Sequence, residues 1–274
     1  MPASRTALLS AALRMTHRTD DDPPPVFDDP FAERLLGADA APLAERVRAL
    51  PEAFRLFLRA SMVGRSRVVE ERLRSASRPA RYVAVGAGLD TLAWMVDGLE
   101  TVEIDQPDSA ADKRERMRAA ALEPPAGWRQ LPCDLAQEPL ADVLQRAVPD
   151  DGHATVISWL GVTQYLPPEA VGASMHALAG TPPGTEVVFT SVLPEREVPA
   201  EDLDSLHRIT TSVREDGEPV RTTLAHAEVA ALVRESGLEL VGDVGAPGLI
   251  EPLFAGRRDG LRANAASIVT VART

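Results

Sequence analysis

The stretch Arg81-Tyr-Val-Ala-Val-Gly-Ala-Gly-Leu-Asp-Thr91, followed by Thr101-Val-Glu-Ile-Asp-Gln-Pro107, decides the fold of this chain. An apolar run leads into a glycine turn and a helical segment, and a second apolar run ends on a carboxylate. This order is typical of a βαβ unit that binds a nucleotide. Gly86 and Gly88 permit a sharp turn and a close approach of the backbone to a ligand. Asp105 follows at about the spacing expected for a carboxylate that binds ribose hydroxyls.

The glycine pattern distinguishes two kinds of nucleotide cofactor. A dinucleotide site carries a third small residue, whereas this chain has Thr91 at that position and the acid Asp90 beside it. A carboxylate repels a pyrophosphate but attracts the ammonium group of a methionine moiety. The loop therefore favours S-adenosylmethionine over a nicotinamide cofactor. Asp90 and Thr91 are also suited to cap the following helix, and both interpretations stay open.

Hydrophobic periodicity predicts the remaining elements. Strands and helices alternate after residue 80, which predicts an α/β fold with an open, mostly parallel sheet. Helices are expected over 3–16, 29–36, 41–49, 51–77, from 167 onward and over 223–236; strands are expected over 81–86, 101–105, 128–132, 154–160, 185–193, 238–244 and 266–272. The segment 194–223 is charged and shows no clean period, so we expect a lid or substrate-binding insertion there.

Several motifs together resemble the leucine carboxyl methyltransferase family. They are the glycine loop, the Glu-Ile-Asp-Gln-Pro run, Cys-Asp-Leu at 133–135, Gly-Val-Thr-Gln-Tyr-Leu-Pro-Pro-Glu at 161–169, Asp28-Asp-Pro-Phe-Ala-Glu-Arg-Leu-Leu36 and Arg65-Ser-Arg-Val-Val-Glu70. Its bacterial branch includes the tetracenomycin-pathway carboxyl methyltransferase. The resemblance implies a Rossmann-like class I methyltransferase fold, with a seven-stranded, mostly parallel sheet, helices on both faces and an antiparallel last strand. Residues 1–78 would form a helical cap, and residues 79–274 the cofactor-binding domain.

The same resemblance implies a set of contacts with S-adenosylmethionine. Arg65 would pair with the carboxylate of the cofactor, and Asp105 would accept hydrogen bonds from both ribose hydroxyls. Asp134 and Leu135 would flank the adenine. The remaining contacts would come from residues of the glycine loop and from the residue after the ribose-binding acid, namely Gly86, Ala87, Gly88 and Gln106. Asp134 could instead cap the following turn, and Arg65 could be a solvated helix charge.

One position departs from the family pattern. Many members carry an acid before the glycine of the Gly-Val-Thr-Gln-Tyr motif, and that acid contacts the cofactor, but this chain has Leu160 there. Either a neighbouring group such as Ser158 takes over the contact, or the mouth of the active site is built differently.

Composition limits the class of partner. The chain has 274 residues, 29 basic and 41 acidic, and a net charge of −12. Nucleic acid rewards a basic surface and is therefore not expected as a partner. The sequence holds no apolar run long enough to cross a membrane, and we expect a cytoplasmic protein. The five histidines are scattered and Cys133 is the only cysteine, so no metal site is expected.

The catalytic residues are not assigned by the sequence. A carboxylate acceptor is ionised at pH 7 and needs no general base, whereas a hydroxyl acceptor needs a group that takes its proton. Tyr165 and His207 are candidates for contact with a small-molecule acceptor. The leading hypothesis is an S-adenosylmethionine-dependent O-methyltransferase of secondary metabolism. Two alternatives are a non-catalytic or repurposed protein of the same fold and an NAD(P)-dependent oxidoreductase.

Overall fold

Seven strands form one sheet at the centre of the computed structural model, which describes residues 5–135, 137–215 and 217–274. The order across the sheet is β3-β2-β1-β4-β5-β7-β6. All neighbours pair in parallel except β7, which runs antiparallel to β5 and β6. The strands are β1 (Ala80–Val85), β2 (Leu99–Asp105), β3 (Trp128–Pro132), β4 (Ala154–Trp159), β5 (Glu186–Val192), β6 (Glu239–Leu240) and β7 (Ser267–Arg273). The predicted α/β class with a mostly parallel sheet is confirmed.

Helices surround this sheet and form a further layer at the N-terminus. In the described ranges they are α1 (Arg5–Asp20), α2 (Ala32–Leu36), α3 (Ala40–Arg48), α4 (Glu52–Ser75), α5 (Leu92–Met95), α6 (Pro107–Ala119), α7 (Leu140–Ala147), α8 (Pro168–Ala179), α9 (Ala200–Glu215), α10 (His226–Ser236) and α11 (Pro247–Phe254). The first two residues of the helix predicted over 3–16 lie outside the described residues. No helix within these ranges has the length and apolar character needed to cross a membrane.

The two faces of the sheet bury separate apolar clusters. Successive side chains of a strand point to opposite faces, so Val83 and Val85 of β1 pack with α7, α8 and α10, while Tyr82 and Ala84 pack with α4, α5 and α11. Each fully buried aliphatic side chain stabilises the fold by roughly 1.5–3 kcal/mol. The predicted helices on both faces are confirmed.

The N-terminal helices have an apolar cluster of their own. Buried residues of α1, α2, α3 and the first half of α4 pack together, and Leu89 of the glycine loop joins them. The second half of α4 packs instead on the sheet, through Val63, Val68, Val69 and Leu73. Helix α4 therefore connects the N-terminal layer, defined here as α1–α3, to the sheet.

The structure differs from the predicted elements at two places, and the lid expected over 194–223 stays a prediction. The segment 194–223 contains a regular helix, α9, because Leu206 and Val213 lie on its buried side among many charges that hide the period. The strand expected over 238–244 ends at Leu240, since Gly242 and Gly245 have positive φ values that interrupt an extended chain. Helix α11 follows and was not predicted.

Candidate functional site

The carboxyl ends of β1 and β4 mark the point where the strand order reverses. In open parallel sheets, ligands bind in the crevice at such a point. Strand β1 runs into Gly86, and β4 runs into Leu160 and Gly161. Residues that bind the cofactor are therefore expected to lie at this crevice.

The glycine loop between β1 and α5 forms one wall. Gly86 and Gly88 have φ values of +73° and +50°, a conformation that favours glycine. A Cβ atom at Gly86 would lie 2.7 Å from Cγ2 of Val162, and one at Gly88 would lie 3.2 Å from Cβ of Ala7. The N–H of Gly86 donates to the carbonyl of Ile104 at 2.8 Å. Backbone conformation favours glycine at both positions, and at Gly86 an added Cβ would also clash with its neighbour.

Asp105 ends β2 beside this loop. Its carboxylate accepts the N–H of Gly88 at 2.5 Å and the N–H of Gln106 at 2.7 Å, one on each oxygen. Burial raises the pKa of Asp105, while the two N–H groups and the Lys113 cation oppose that rise. Each carboxylate oxygen can accept more than one hydrogen bond. Asp105 is therefore oriented by the backbone and can still accept donors from a ligand.

Arg65 approaches the crevice from α4. Its Nη1 atom lies 2.9 Å from the position that a Cβ of Gly161 would take. Burial, followed by repulsion from Arg14, lowers the pKa of Arg65 to about 10. Within the described residues this guanidinium forms no ion pair or hydrogen bond, although Asp90 and Tyr165 attract it from a longer distance. A half-buried cation of this kind favours an anionic ligand.

Asp90 points toward the protein interior. One oxygen accepts the N–H of Leu92 at 2.9 Å, and the other accepts the hydroxyl of Tyr82 at 3.2 Å. Asp90 therefore supplies the first-turn contact of α5, whereas Thr91, the other candidate, makes no capping hydrogen bond. Burial raises the pKa of Asp90 and holds that of Tyr82 well above its usual value. Ser158 is buried on β4, and its hydroxyl lies 2.9 Å from that of Tyr82.

Sequence reasoning missed the role of Lys113, the only lysine in the chain. Its ammonium lies 2.7 Å from a carboxylate oxygen of Glu103, with both side chains 1% exposed. It also donates to the backbone carbonyl of Asp90 at 2.7 Å and lies 5.6 Å from the centre of the Trp94 ring. Removing one member of a buried ion pair leaves an uncompensated charge and costs about 3–5 kcal/mol. Lys113 therefore connects the buried Glu103 of β2 to the backbone of the glycine loop at Asp90.

The end of β3 contributes the residues predicted to flank an adenine. The N–H of Cys133 donates to the carbonyl of Asp105 at 2.7 Å, which places the ends of β2 and β3 side by side. The backbone carbonyl of Asp134 accepts the N–H groups of Gln137 and Glu138, so this residue begins a turn. Leu135 is half-buried against the apolar cluster of one sheet face.

The two candidates for acceptor contact lie in different surroundings. Tyr165 is half-buried; burial raises the pKa of its hydroxyl, Glu218 adds to the rise, and Gln164 and Arg65 oppose it. His207 lies on the exposed side of α9, where its Nε2 atom is 3.0 Å from a carboxylate oxygen of Glu195. The structure therefore keeps Tyr165 near Arg65 but does not bring His207 to the crevice.

Four of the predicted residues lie close together, two in direct contact and two through Gly161 and Val162. Gly88 hydrogen-bonds Asp105, Gly86 lies against Val162, and Arg65 lies against the neighbouring Gly161. These groups fit the cofactor that the sequence favours, because a guanidinium complements a carboxylate and a carboxylate complements ribose hydroxyls. Ser158 does not join this group, since its hydroxyl is engaged in the interior. Its contact with a cofactor stays a prediction, as do those of Ala87, Gln106, Asp134 and Leu135.

Comparison with known proteins gives a family match. The model of a family described as leucine carboxyl methyltransferase matches residues 7–179, which is more than half of the chain. YktD of Bacillus subtilis, a protein classed as an S-adenosyl-L-methionine-dependent methyltransferase, is 24% identical over 292 aligned positions that cover 95% of this chain and 94% of YktD. A Mycolicibacterium gilvum protein of the same class is 31% identical over 217 positions, 69% of this chain and 66% of its own.

Solved structures give the same fold. A DUF574 family protein from Streptomyces avermitilis superposes with a TM-score of 0.63 at 16% identity, covering 99% of this chain and 98% of its own. A Thermobifida fusca protein classed as a methyltransferase superposes with a TM-score of 0.59 at 17% identity, covering 100% and 95%. At these identities the similarity establishes the fold and not the acceptor.

Proposed function

The chain belongs to the leucine carboxyl methyltransferase family, and from that premise we propose that it transfers a methyl group from S-adenosylmethionine to an oxygen atom of a small molecule of secondary metabolism. Methyltransferase chemistry with this cofactor is the common property of the relatives. The choice of oxygen and of a small acceptor is our proposal. The acceptor oxygen would belong to a carboxylate or a hydroxyl group.

One observation carries the assignment of the site. The glycine loop, the Asp105 carboxylate and the Arg65 guanidinium, which has no ion pair in the part of the chain that the structure describes, converge at the carboxyl ends of β1, β2 and β4. A turn with two glycines lets the backbone approach the methionine part of S-adenosylmethionine, a carboxylate can accept two ribose hydroxyls, and a cation complements the carboxylate of the cofactor.

Different residues of this chain would bind different parts of S-adenosylmethionine. Arg65 would pair with the cofactor carboxylate, and Asp105 would accept both ribose hydroxyls, each charge-assisted hydrogen bond contributing roughly 1.5–3 kcal/mol. Gly86, Ala87 and Gly88 would let the backbone approach the methionine part. Asp134 and Leu135 would flank the adenine. When bound, S-adenosylmethionine supplies an activated methyl group on a sulfonium.

Catalysis would depend chiefly on alignment. Methyl transfer is an in-line displacement, so holding the acceptor oxygen on the axis of the breaking bond and excluding water provides much of the rate. A carboxylate acceptor would need no base. A hydroxyl acceptor would need a proton acceptor, and the raised pKa of Tyr165 makes this residue a donor that orients the acceptor rather than a base. We therefore propose Tyr165, and not the exposed His207, as the acceptor-side contact.

Calorimetry followed by product analysis tests the proposal. S-adenosylhomocysteine and NADH are titrated in parallel into the wild-type protein and into Asp105→Ala; we expect binding of S-adenosylhomocysteine alone, lost in the variant. Transfer from methyl-labelled S-adenosylmethionine is then measured on a panel of carboxylates, phenols and amines. Products on oxygen support the proposal, and alkaline release of labelled methanol distinguishes esters from ethers. Transfer to nitrogen only, or binding without any transfer, would refute it.

A further inference from the structure

Asp29, which lies between α1 and α2, is buried at 1% exposure. Its Oδ2 atom accepts the Nε–H of Arg14 and the hydroxyl of Thr91, both at 2.8 Å. Its Oδ1 atom accepts the backbone N–H groups of Phe31 and Ala32 at 3.0 Å. One carboxylate therefore joins α1, the start of α2 and the end of the glycine loop.

A second bond ties the same loop to α1. Nη2 of Arg14 donates to the backbone carbonyl of Leu89 at 2.7 Å, and Leu89 itself packs in the apolar cluster of the N-terminal layer. The two residues on either side of Asp90 are thus bonded to groups far away in sequence, Leu89 to Arg14 of α1 and Thr91 to Asp29. Along α1, Ala7 approaches Gly88. The N-terminal layer is bonded directly to the loop that forms the site.

The loop needs this support because its own helix is short. Helix α5 has four residues, from Leu92 to Met95, whereas the helix after such a loop normally provides a long packed anchor. The beginning of the loop is fixed to the end of β2 by the N–H groups of Gly86 and Gly88. Its end, from Leu89 to Thr91, is held from the sheet side by Lys113 and Tyr82, which both bond to Asp90. From the side of the N-terminal layer it is held by Arg14 and Asp29.

We propose that Asp29 is a positioning residue for cofactor binding, acting on the glycine loop through the Thr91 hydroxyl and through Arg14. The inference rests on the proposed function for the identity of the site. Asp29 itself does not belong to the crevice; it fixes the backbone at the loop end from the side of the N-terminal layer. A loop that is already held in its bound conformation loses less conformational entropy on binding, so a distant anchor can control affinity.

A pair of substitutions at Thr91 tests this without removing a buried charge. Thr91→Val keeps the shape of the side chain and deletes the hydroxyl, whereas Thr91→Ser keeps the hydroxyl. We expect Thr91→Val to raise the Kd of S-adenosylhomocysteine roughly tenfold, which corresponds to about 1.4 kcal/mol, and Thr91→Ser to bind close to wild type. Calorimetry well below the Tm of each protein separates affinity from loss of fold.

Asp29→Asn is compared with Glu186→Gln as the matched control. Glu186 is also a largely buried carboxylate, with Arg72 and Arg273 as partners. It lies at the amino end of β5, whereas the crevice lies at the carboxyl ends of β1 and β4. Both variants should lower Tm, and only Asp29→Asn should weaken binding. Wild-type affinity in both Thr91→Val and Asp29→Asn, or equal weakening in Glu186→Gln, would overturn the inference. Absence of transfer to oxygen by the wild-type protein would overturn the proposed function alone.

Discussion

Arg65 carries a charge that the described part of the chain does not neutralise. Its lowered pKa of about 10 means that the folded state holds the cation less favourably than the unfolded state does. This cost is fully present at every pH below that value, including neutral pH, and decreases as the pH rises from it toward the ordinary pKa of arginine. A residue that costs stability at a crevice is typical of a site built for a ligand.

We therefore expect Arg65→Met to raise the Tm of the ligand-free protein at pH 7 and to weaken S-adenosylhomocysteine binding by roughly 1.5–3 kcal/mol. Thermal unfolding and calorimetry measure the two effects. Arg67→Met is the control, since Arg67 lies two residues along α4 and pairs with Glu70 and Glu71. A lower Tm for Arg65→Met, with unchanged affinity, would assign this residue a structural role.

The raised pKa of Asp105 leads us to expect that binding of S-adenosylhomocysteine depends on pH. Because burial raises its pKa, the folded protein takes up this proton at a higher pH than an exposed aspartate would. As the pH falls through that range, the ligand-free fold gains stability relative to the unfolded chain, whereas the protonated group accepts ribose hydroxyls less well.

Calorimetric titrations of S-adenosylhomocysteine from pH 7 downward should accordingly show affinity lost above the usual aspartate range. Asp105→Asn cannot ionise, so its weaker binding should stay level over the same range. Parallel profiles for the two proteins would mean that another group controls the titration.

At the scale of elements, the glycine loop has two requirements that can be tested separately: a positive φ value and the absence of a Cβ atom. Gly86 and Gly98 have nearly equal φ values, +73° and +70°, so an alanine at either position pays the same backbone cost, roughly 1–2 kcal/mol. Only at Gly86 would the new Cβ meet a neighbour, Cγ2 of Val162 at 2.7 Å.

Gly86→Ala should therefore lose more stability than Gly98→Ala in urea unfolding, and it alone should lose affinity for S-adenosylhomocysteine. The contact lies between the ends of β1 and β4, so a shift of Val162 widens or distorts the crevice itself. Equal losses of stability and retained affinity in both variants would show that the loop adapts to the added methyl group.

The observed strands and helices also show which elements can be predicted from local sequence. Strands β1 to β5, α8 and α10 follow from short apolar runs bounded by glycine and proline, and those predictions are confirmed to within a few residues. Helix α9 was not predicted because only two of its sixteen residues, Leu206 and Val213, are buried apolar positions, too few to show a helical period. Its helical character depends on burial against the rest of the protein, which a charged segment does not display.

At the scale of the whole molecule, the N-terminal layer and the sheet meet at the glycine loop. Because α1 is bonded to that loop, a ligand that orders the loop should also stabilise α1. We expect bound S-adenosylhomocysteine to slow amide hydrogen exchange in α1 and in residues 86–91, and to leave exchange in β7 unchanged.

Exchange measured by mass spectrometry with and without the ligand checks this coupling. The Thr91→Val variant, saturated with ligand, should show a smaller change in α1 than the wild type. Protection confined to residues 86–106 in the wild type would mean that the N-terminal layer does not respond to the site.

The sequence by itself determined the fold class, the glycine loop, the acid at the end of β2 and the family, since each depends on residues close together in the chain. Only the tertiary structure decided which distant groups contact them. Asp29 accepts the hydroxyl of Thr91, and Lys113 donates to the carbonyl of Asp90. Arg65 lies against Gly161, and the Ser158 hydroxyl is directed toward Tyr82 rather than toward the crevice. Thr91 and Asp29 are 62 residues apart. Contacts over such separations are set by how layers pack around a common core, and no local pattern of residue types encodes them.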